Sequence, residues 1–287
     1  MSASDLPLLV DTDWLAARLS APDLRVFDCS VTLVPVAGGM RPESGRAAWA
    51  AGHVPGSGYL DLIEELSDRT SPLPFMMPPV EQCARVFGHH GIGPGTRVVL
   101  YDAGGHMWAT RVWWMLRALG FDAAAVLDGG LTKWRAAGRP LPVDPPGYAA
   151  SHFQPRPRPG LMVDKCHVQD ALGRPDVCLL NALSAEEHAG RVSRTARPGH
   201  IPGSGNVPAG ALIDPASGAY LPLGALREKF HAAGALDAGR VVTYCGGGIA
   251  ATSAAFTLVR LGAPAVAVYD GSLVEWSGDP ALPMASG

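Results

Sequence analysis

Charge is scarce in this chain. Only 17% of its 287 residues are Asp, Glu, Lys or Arg, and the net charge is −3. No polybasic run occurs, which argues against nucleic acid or an anionic membrane as the partner. No stretch of about 18 apolar residues is present to span a membrane. The opening Met1 to Pro7 lacks the basic region and long apolar stretch of a signal peptide. Cysteine is sparse too: Cys29, Cys83, Cys166, Cys178 and Cys245, an odd number at wide spacings. With no C-x-x-C among them, a zinc knuckle or thioredoxin motif is excluded, and no metal site is expected. Cys29 and Cys178 lie in apolar strand-like runs and read as buried small hydrophobes. Cys83 and Cys166 read as structural. A reducing cytoplasm suits a chain that works with a free thiol.

What the chain does have is apolar residues, 47% of the total, enough for real cores and about two domains. It also repeats itself. Tyr101-Asp102-Ala103-Gly104-Gly105-His106 corresponds to Tyr244-Cys245-Gly246-Gly247-Gly248-Ile249. Arg117 to Gly120 matches Val259 to Gly262, and Val126 to Trp134 matches Val268 to Trp276. Upstream, Ala51 to Gly58 matches Pro198 to Gly205, both containing G-H-[VI]-P-G-S-G. Four landmarks in one order, with one single-residue gap placed in the loop, describe a domain duplication rather than a solenoid. The copies span residues 1–139 and 161–287. The join, 140–160, is rich in proline and reads as an extended, semi-rigid strap.

Each copy alternates strand and helix. Arg25 to Asp28 and Val177 to Leu180 read as short buried strands, as do Arg97 to Tyr101, Arg240 to Tyr244, Ala123 to Leu127 and Ala265 to Tyr269. Helices are expected over Pro79 to His89 and Pro222 to Ala233, each with proline in its first turn, and over Thr110 to Leu119 and Ala251 to Leu261. The alternation predicts an α/β fold, two tandem domains, each a mainly parallel sheet with helices on both faces. Sites on such sheets form at the carboxyl ends of strands.

Cys245 stands at such an end. The run Val241-Val242-Thr243-Tyr244 stops at it, three glycines follow, and a helix opens. Glycines let consecutive N–H groups converge on one point, and a helix N-terminus adds a positive dipole end. Such surroundings favour thiolate over thiol and make cysteine a nucleophile. The other copy carries Asp102 at this position, which places the chemistry in the second half. His53 and His200 suggest general bases, but both copies have one and only one has the cysteine, so a structural turn role is expected for them.

The paired halves, the G-H-[VI]-P-G segments and the six-residue loop opened by Cys245 resemble the two-domain rhodanese-type sulfurtransferases, over essentially the whole chain. That resemblance implies a silent N-terminal domain, an active C-terminal one, and no cofactor. It implies that Cys245 takes a sulfane sulfur from a small anionic donor as a persulfide. A thiol, cyanide or a protein acceptor then receives it, by ping-pong covalent catalysis. The N–H groups of Gly246, Gly247, Gly248, Ile249 and Ala250 are expected to stabilise the charge. Thiosulfate-preferring members carry basic residues after the cysteine, and 3-mercaptopyruvate members a neutral Cys-Gly-Ser-Gly-Val-Thr. The neutral loop here favours mercaptopyruvate over thiosulfate, although Gly247 replaces the serine and Ala250 the threonine. Arg191 matches the family's first donor-binding arginine, with Arg194 or Arg197 as a second, because a guanidinium fork fits a carboxylate or sulfonate. Asp61 matches an aspartate assigned to assist the cysteine. Phe75 stands where many members have histidine, and Trp108 occupies an aromatic position facing the cleft.

Three other readings compete. Gly246 to Ala251 fits G-x-G-x-x-A and Asp270 follows at a suitable distance, but only 17 residues remain to complete a dinucleotide fold. A cysteine phosphatase needs arginine six positions after the cysteine, where this chain has Ala251. A non-turnover persulfide carrier, delivering sulfur to a partner protein, is the non-enzymatic alternative.

Overall fold

A computed structural model describes residues 6–36, 39–144 and 147–287. Residues 1–5, and Pro145 and Pro146 of the proline-rich join, lie outside the described residues. The chain divides into two compact units. Unit 1 runs to Thr70 and includes Met77–Arg158 and Pro215–Ala219; unit 2 holds Ser71–Met76, Pro159–Asp214 and Tyr220–Gly287.

Unit 1 is built from β1 (Leu9–Val10), α1 (Thr12–Ala16), β2 (Leu24–Asp28), β3 (Val31–Val36), β4 (Gly39–Ser44) and α2 (Arg46–Ala50). It continues through β5 (Gly58–Tyr59), α3 (Val80–His89), β6 (Arg97–Tyr101), α4 (Met107–Ala118), β7 (Ala124–Leu127) and α5 (Gly130–Ala136). Its sheet is parallel throughout, in the order β1-β7-β6-β2-β5, and β3 and β4 form a separate antiparallel ribbon. Every residue of β6 is buried, as expected of a parallel strand covered on both faces.

Unit 2 repeats this plan. It contains β8 (Met162–Val163), α6 (Lys165–Ala171), β9 (Val177–Asn181), α7 (Ala185–His188), β10 (Gly205–Asn206) and a 3-10 turn at Ala209–Leu212. Then come α8 (Leu223–Ala232), β11 (Arg240–Tyr244), α9 (Ala250–Arg260), β12 (Val266–Tyr269) and α10 (Ser272–Gly278). Its parallel sheet runs β10-β9-β11-β12-β8, the same order of equivalent strands. The fold is the expected α/β arrangement, two units that each carry helices on both faces of a parallel sheet.

In each unit a buried tyrosine ends the strand that leads to the key loop. The Tyr101 hydroxyl bonds Ser57 Oγ at 2.8 Å and accepts the Val54 N–H at 3.2 Å. Tyr244 does the same with Ser204 Oγ at 2.5 Å and the Ile201 N–H at 3.1 Å. The G-H-[VI]-P-G-S-G turns therefore clamp the strand ends.

Two sequence expectations change. Pro79 and Pro222 sit one residue ahead of α3 and α8, with extended ψ of 148° and 143°, and cap these helices from outside. The proline-rich join is no bare strap over its described second half. The Ser151, Arg156 and Arg158 N–H groups donate to the carbonyls of Gly88, Leu119 and Ala118, and Phe153 is buried. These residues form an outer layer of unit 1, because their backbone finds unpaired carbonyls at helix ends there.

Asp28 and Asn181 occupy the same place, each ending a strand opposite the tyrosine, Tyr101 or Tyr244. Each side chain accepts the N–H two residues on, Ser30 at 2.8 Å and Leu183 at 2.7 Å. Burial pushes the Asp28 carboxyl up from 3.8 to about 6, with the nearby Asp102 charge adding to the rise. Unfolded, Asp28 ionises at the lower value, so the unfolded state holds fewer protons between the two and stability falls as pH rises through that window. Asp28→Asn, which copies Asn181, should stabilise unit 1 by on the order of 2–3 kcal/mol at pH 8 and not at pH 3.5. Denaturant melts at the two pH values check this; equal stability at pH 8 contradicts it.

Candidate functional site

The site candidate in unit 2 is the turn between β11 and α9. Cys245 is almost fully buried, 1% exposed, as the first residue after β11. The turn reverses direction at Gly248, whose φ of 74° suits glycine. Space above the next residues is open: a Cβ at Gly246 would meet nothing within 4 Å, and one at Gly247 would meet only Pro74 Cγ, at 3.6 Å. Pro74 belongs to Ser71–Met76, which is part of unit 2. Its neighbour Phe75, expected in place of a histidine, adopts φ of 60°.

Among the described residues, the backbone N–H groups of Gly246, Gly247, Ile249 and Ala250 donate to no protein acceptor. The fifth expected donor, Gly248, is a correction. Its N–H donates to Ser272 Oγ at 3.1 Å, because that hydroxyl lies beneath the turn. Ser272 also accepts the Cys245 N–H at 3.1 Å and donates to the Tyr269 carbonyl at 2.8 Å. Carbonyls of the loop pair with α10: Leu273 N–H donates to Cys245 O at 3.0 Å and Val274 N–H to Gly246 O at 2.8 Å. The loop is thus held from one side, with donors left on the other.

The matching turn of unit 1 shows what such donors do. Asp102 Oδ1 accepts from the N–H groups of Gly104, Gly105 and His106 at 3.3, 3.0 and 2.9 Å. Its Oδ2 accepts from Trp108 and Ala109 at 3.0 and 3.1 Å. Five backbone donors converge on one carboxylate, an anion nest at a helix N-terminus.

The remaining candidates divide. Arg191 is exposed and holds Glu186 with two hydrogen bonds, 2.5 and 3.1 Å. Arg194 is more exposed still, its Nε 3.6 Å from Glu187. Arg197 is otherwise occupied. Its guanidinium donates to the carbonyls of Ser277, Leu282, Trp276 and Asp279 at 2.8, 2.8, 3.2 and 2.6 Å. It caps the end of α10, where unpaired carbonyls collect, and the donor contact expected for it is replaced by this role.

Asp61 is buried in unit 1. One oxygen accepts from Ser44 Oγ at 2.6 Å and the other from the Ile63 and Glu64 N–H groups at 3.0 and 3.1 Å. Those are the contacts of a turn anchor. Trp108 is buried in α4 of the same unit. His53 Nδ1 and Nε2 bond the Trp49 and Asp144 carbonyls, and His200 Nδ1 bonds the His188 carbonyl at 2.7 Å. All five cysteines are free; Cys29 and Cys83 are buried, Cys178 is half-buried, and Cys166 is exposed on α6. No group of three or more His, Cys, Asp or Glu among the described residues could hold a metal ion. No described helix is long and apolar enough to cross a membrane.

Ser272 escaped the sequence reading. The signal was one difference inside a matched stretch, where Gly130 of the first copy stands opposite Ser272 of the second.

A family model described as a rhodanese-like domain matches the chain twice, over residues 11–137 and 167–279. The chain belongs to the rhodanese-like family. It is 35% identical over 294 residues to a probable 3-mercaptopyruvate sulfurtransferase of Pseudomonas aeruginosa, covering 97% of this chain and 98% of that one. It is 31% identical to a thiosulfate sulfurtransferase of Azotobacter vinelandii, covering 98% of each. The crystal structure of SseA from Escherichia coli, described as a 3-mercaptopyruvate sulfotransferase, superposes with a TM-score of 0.82 at 29% identity, covering 93% of this chain and 99% of that one. This rhodanese-like chain is a sulfurtransferase.

The capping role of Arg197 has a measurable consequence. Arg197→Ala removes four bonds to carbonyls and should cost unit 2 about 2 kcal/mol, read by denaturant melts, while sulfur transfer per folded molecule stays within twofold. A variant of unchanged stability and lost activity contradicts the assignment.

Proposed function

We propose that this sulfurtransferase moves a sulfane sulfur from a small anionic donor through a persulfide on Cys245. The observation that carries the reading is the pair of matching turns. One gathers five backbone N–H groups on the Asp102 carboxylate, and the other puts the Cys245 thiol at the same place with four donors unspent. A turn that holds a carboxylate in one copy is suited to hold a thiolate or a persulfide anion in the other.

The chemistry proceeds in two halves. The Cys245 thiolate attacks the donor's sulfur and forms a sulfur–sulfur bond. With 3-mercaptopyruvate the carbon–sulfur bond breaks and its electron pair leaves on the pyruvate enolate, which takes a proton from solvent. With thiosulfate the sulfur–sulfur bond of the donor breaks and sulfite leaves. An acceptor thiol, cyanide or protein thiolate then attacks the outer sulfur and returns Cys245 as thiolate. No step calls for a cofactor. Backbone donors of Gly246, Gly247, Ile249 and Ala250 stabilise negative charge on sulfur throughout.

The donor favoured is 3-mercaptopyruvate, supported by the neutral loop and by the full-length similarity to proteins so named. Its carboxylate is oriented by Arg191, assisted by Arg194. Each guanidinium is at the surface and held only by a neighbouring glutamate, a pairing that solvent screens and a substrate carboxylate can exchange into. A working free thiol requires reducing conditions, which supports a cytoplasmic location.

Cys245→Ser should abolish transfer from both donors, at least 10³-fold in kcat/KM, with the fold unchanged by circular dichroism. Full turnover by this variant overturns the proposal. Arg191→Ala should raise KM for 3-mercaptopyruvate about tenfold and change kcat little; an unchanged KM removes Arg191 from the donor site.

A further inference from the structure

We propose that Ser272 is a positioning residue for sulfur transfer, its hydroxyl fixing the Cys245 turn so that the four unspent N–H groups serve the sulfur. The proposal rests on Cys245 being the sulfur carrier.

The hydroxyl has one proton and two lone pairs to offer, and all are used on the loop's frame. It donates to Tyr269 O at the end of β12, and accepts from Cys245 N at the end of β11 and from Gly248 N at the point of reversal. One buried atom therefore ties the nucleophile's own backbone to the neighbouring strand and to the turn.

The side chain is held against the local backbone preference. Ser272 has φ of 49°, a left-handed value that serine seldom adopts. Glycine would adopt it freely, and unit 1 uses glycine: Gly130, at the matching position, has φ of 51°. A Cβ on Gly130 would fall 2.4 Å from Asp102 O, so unit 1 has no room for a side chain there. Unit 2 has made that room and tolerates the strain. A strained residue that a simpler one could replace points to a function for its side chain.

Comparison of the two turns identifies that function. In unit 1 the N–H of Gly105, third residue after the aspartate, is gathered by Asp102 Oδ1. In unit 2 the N–H of Gly248, third residue after the cysteine, is gathered by Ser272 Oγ. A thiol cannot organise the turn as a carboxylate does, since it is a weak acceptor. The hydroxyl supplies the missing acceptor from below and leaves the space beside the sulfur clear.

Ser272→Gly is the informative variant, because it removes the hydroxyl and relieves the strained φ together. Ser272→Ala serves as a second variant that keeps the Cβ. Both should lower kcat at least tenfold with KM for 3-mercaptopyruvate within about twofold. The rate of Cys245 alkylation by iodoacetamide should fall with kcat, while Tm of Ser272→Gly stays level or rises. Wild-type kcat and alkylation rate in Ser272→Gly overturn the proposal. So does a loss of activity that tracks a fall in Tm and a rise in KM. Alkylation reports on the thiol alone, so a wild-type protein that transfers sulfur with Cys245 blocked would sink the persulfide reading instead.

Discussion

A chain that leaves a parallel strand through a tight turn into a helix carries more backbone N–H donors than acceptors, and buried donors must be satisfied or used. This surplus governs both copies of the duplicated fold. Unit 1 spends it internally: Asp102 accepts five N–H groups. Unit 2 places a thiol there, satisfies two of the donors through Ser272, and keeps four in reserve. The first copy closes with a carboxylate a geometry that the second leaves open beside its thiol, which is what the proposed sulfur transfer needs.

The surroundings hold that geometry in place. Tyr244 is pinned by Ser204 and the Ile201 N–H, so the strand end that carries Cys245 is fixed from the turn at Gly199 to Gly205. Leu273 and Val274 fix the loop's carbonyls from α10. Arg197 closes the far end of that helix with four bonds. The exposed Arg191 and Arg194, proposed above to orient the donor, each pair with a neighbouring glutamate, Glu186 and Glu187.

The fold was legible because its signals are local and doubled. Strands such as Arg97–Tyr101 and Arg240–Tyr244 are short apolar runs followed by glycine and then a helix, and the two copies corroborate each other. The equivalence of the Cys245 and Asp102 turns was legible for the same reason. Small elements were not: β1, β5, β8 and β10 are two residues each, too short to carry a period. The surroundings of the three arginines were not legible, because a sequence shows charge and not partners. Arg191, Arg194 and Arg197 lie within seven residues, and only the fold reveals that Arg197 meets the carbonyls ending α10. Ser272 was invisible since left-handed φ in serine has no sequence signature; one Gly-to-Ser difference between copies was all that marked it.

The central claim is that the unspent donors of the Cys245 turn receive a sulfur. Its most direct test is a high-resolution crystal structure of the protein treated with 3-mercaptopyruvate in the absence of acceptor. The account predicts one added sulfur on Cys245 Sγ, lying among the N–H groups of Gly247, Ile249 and Ala250, with the Ser272 bonds to Cys245 and Gly248 intact. An unmodified Cys245 in a protein that has released pyruvate, with the sulfur on Cys166 or another thiol, would contradict it.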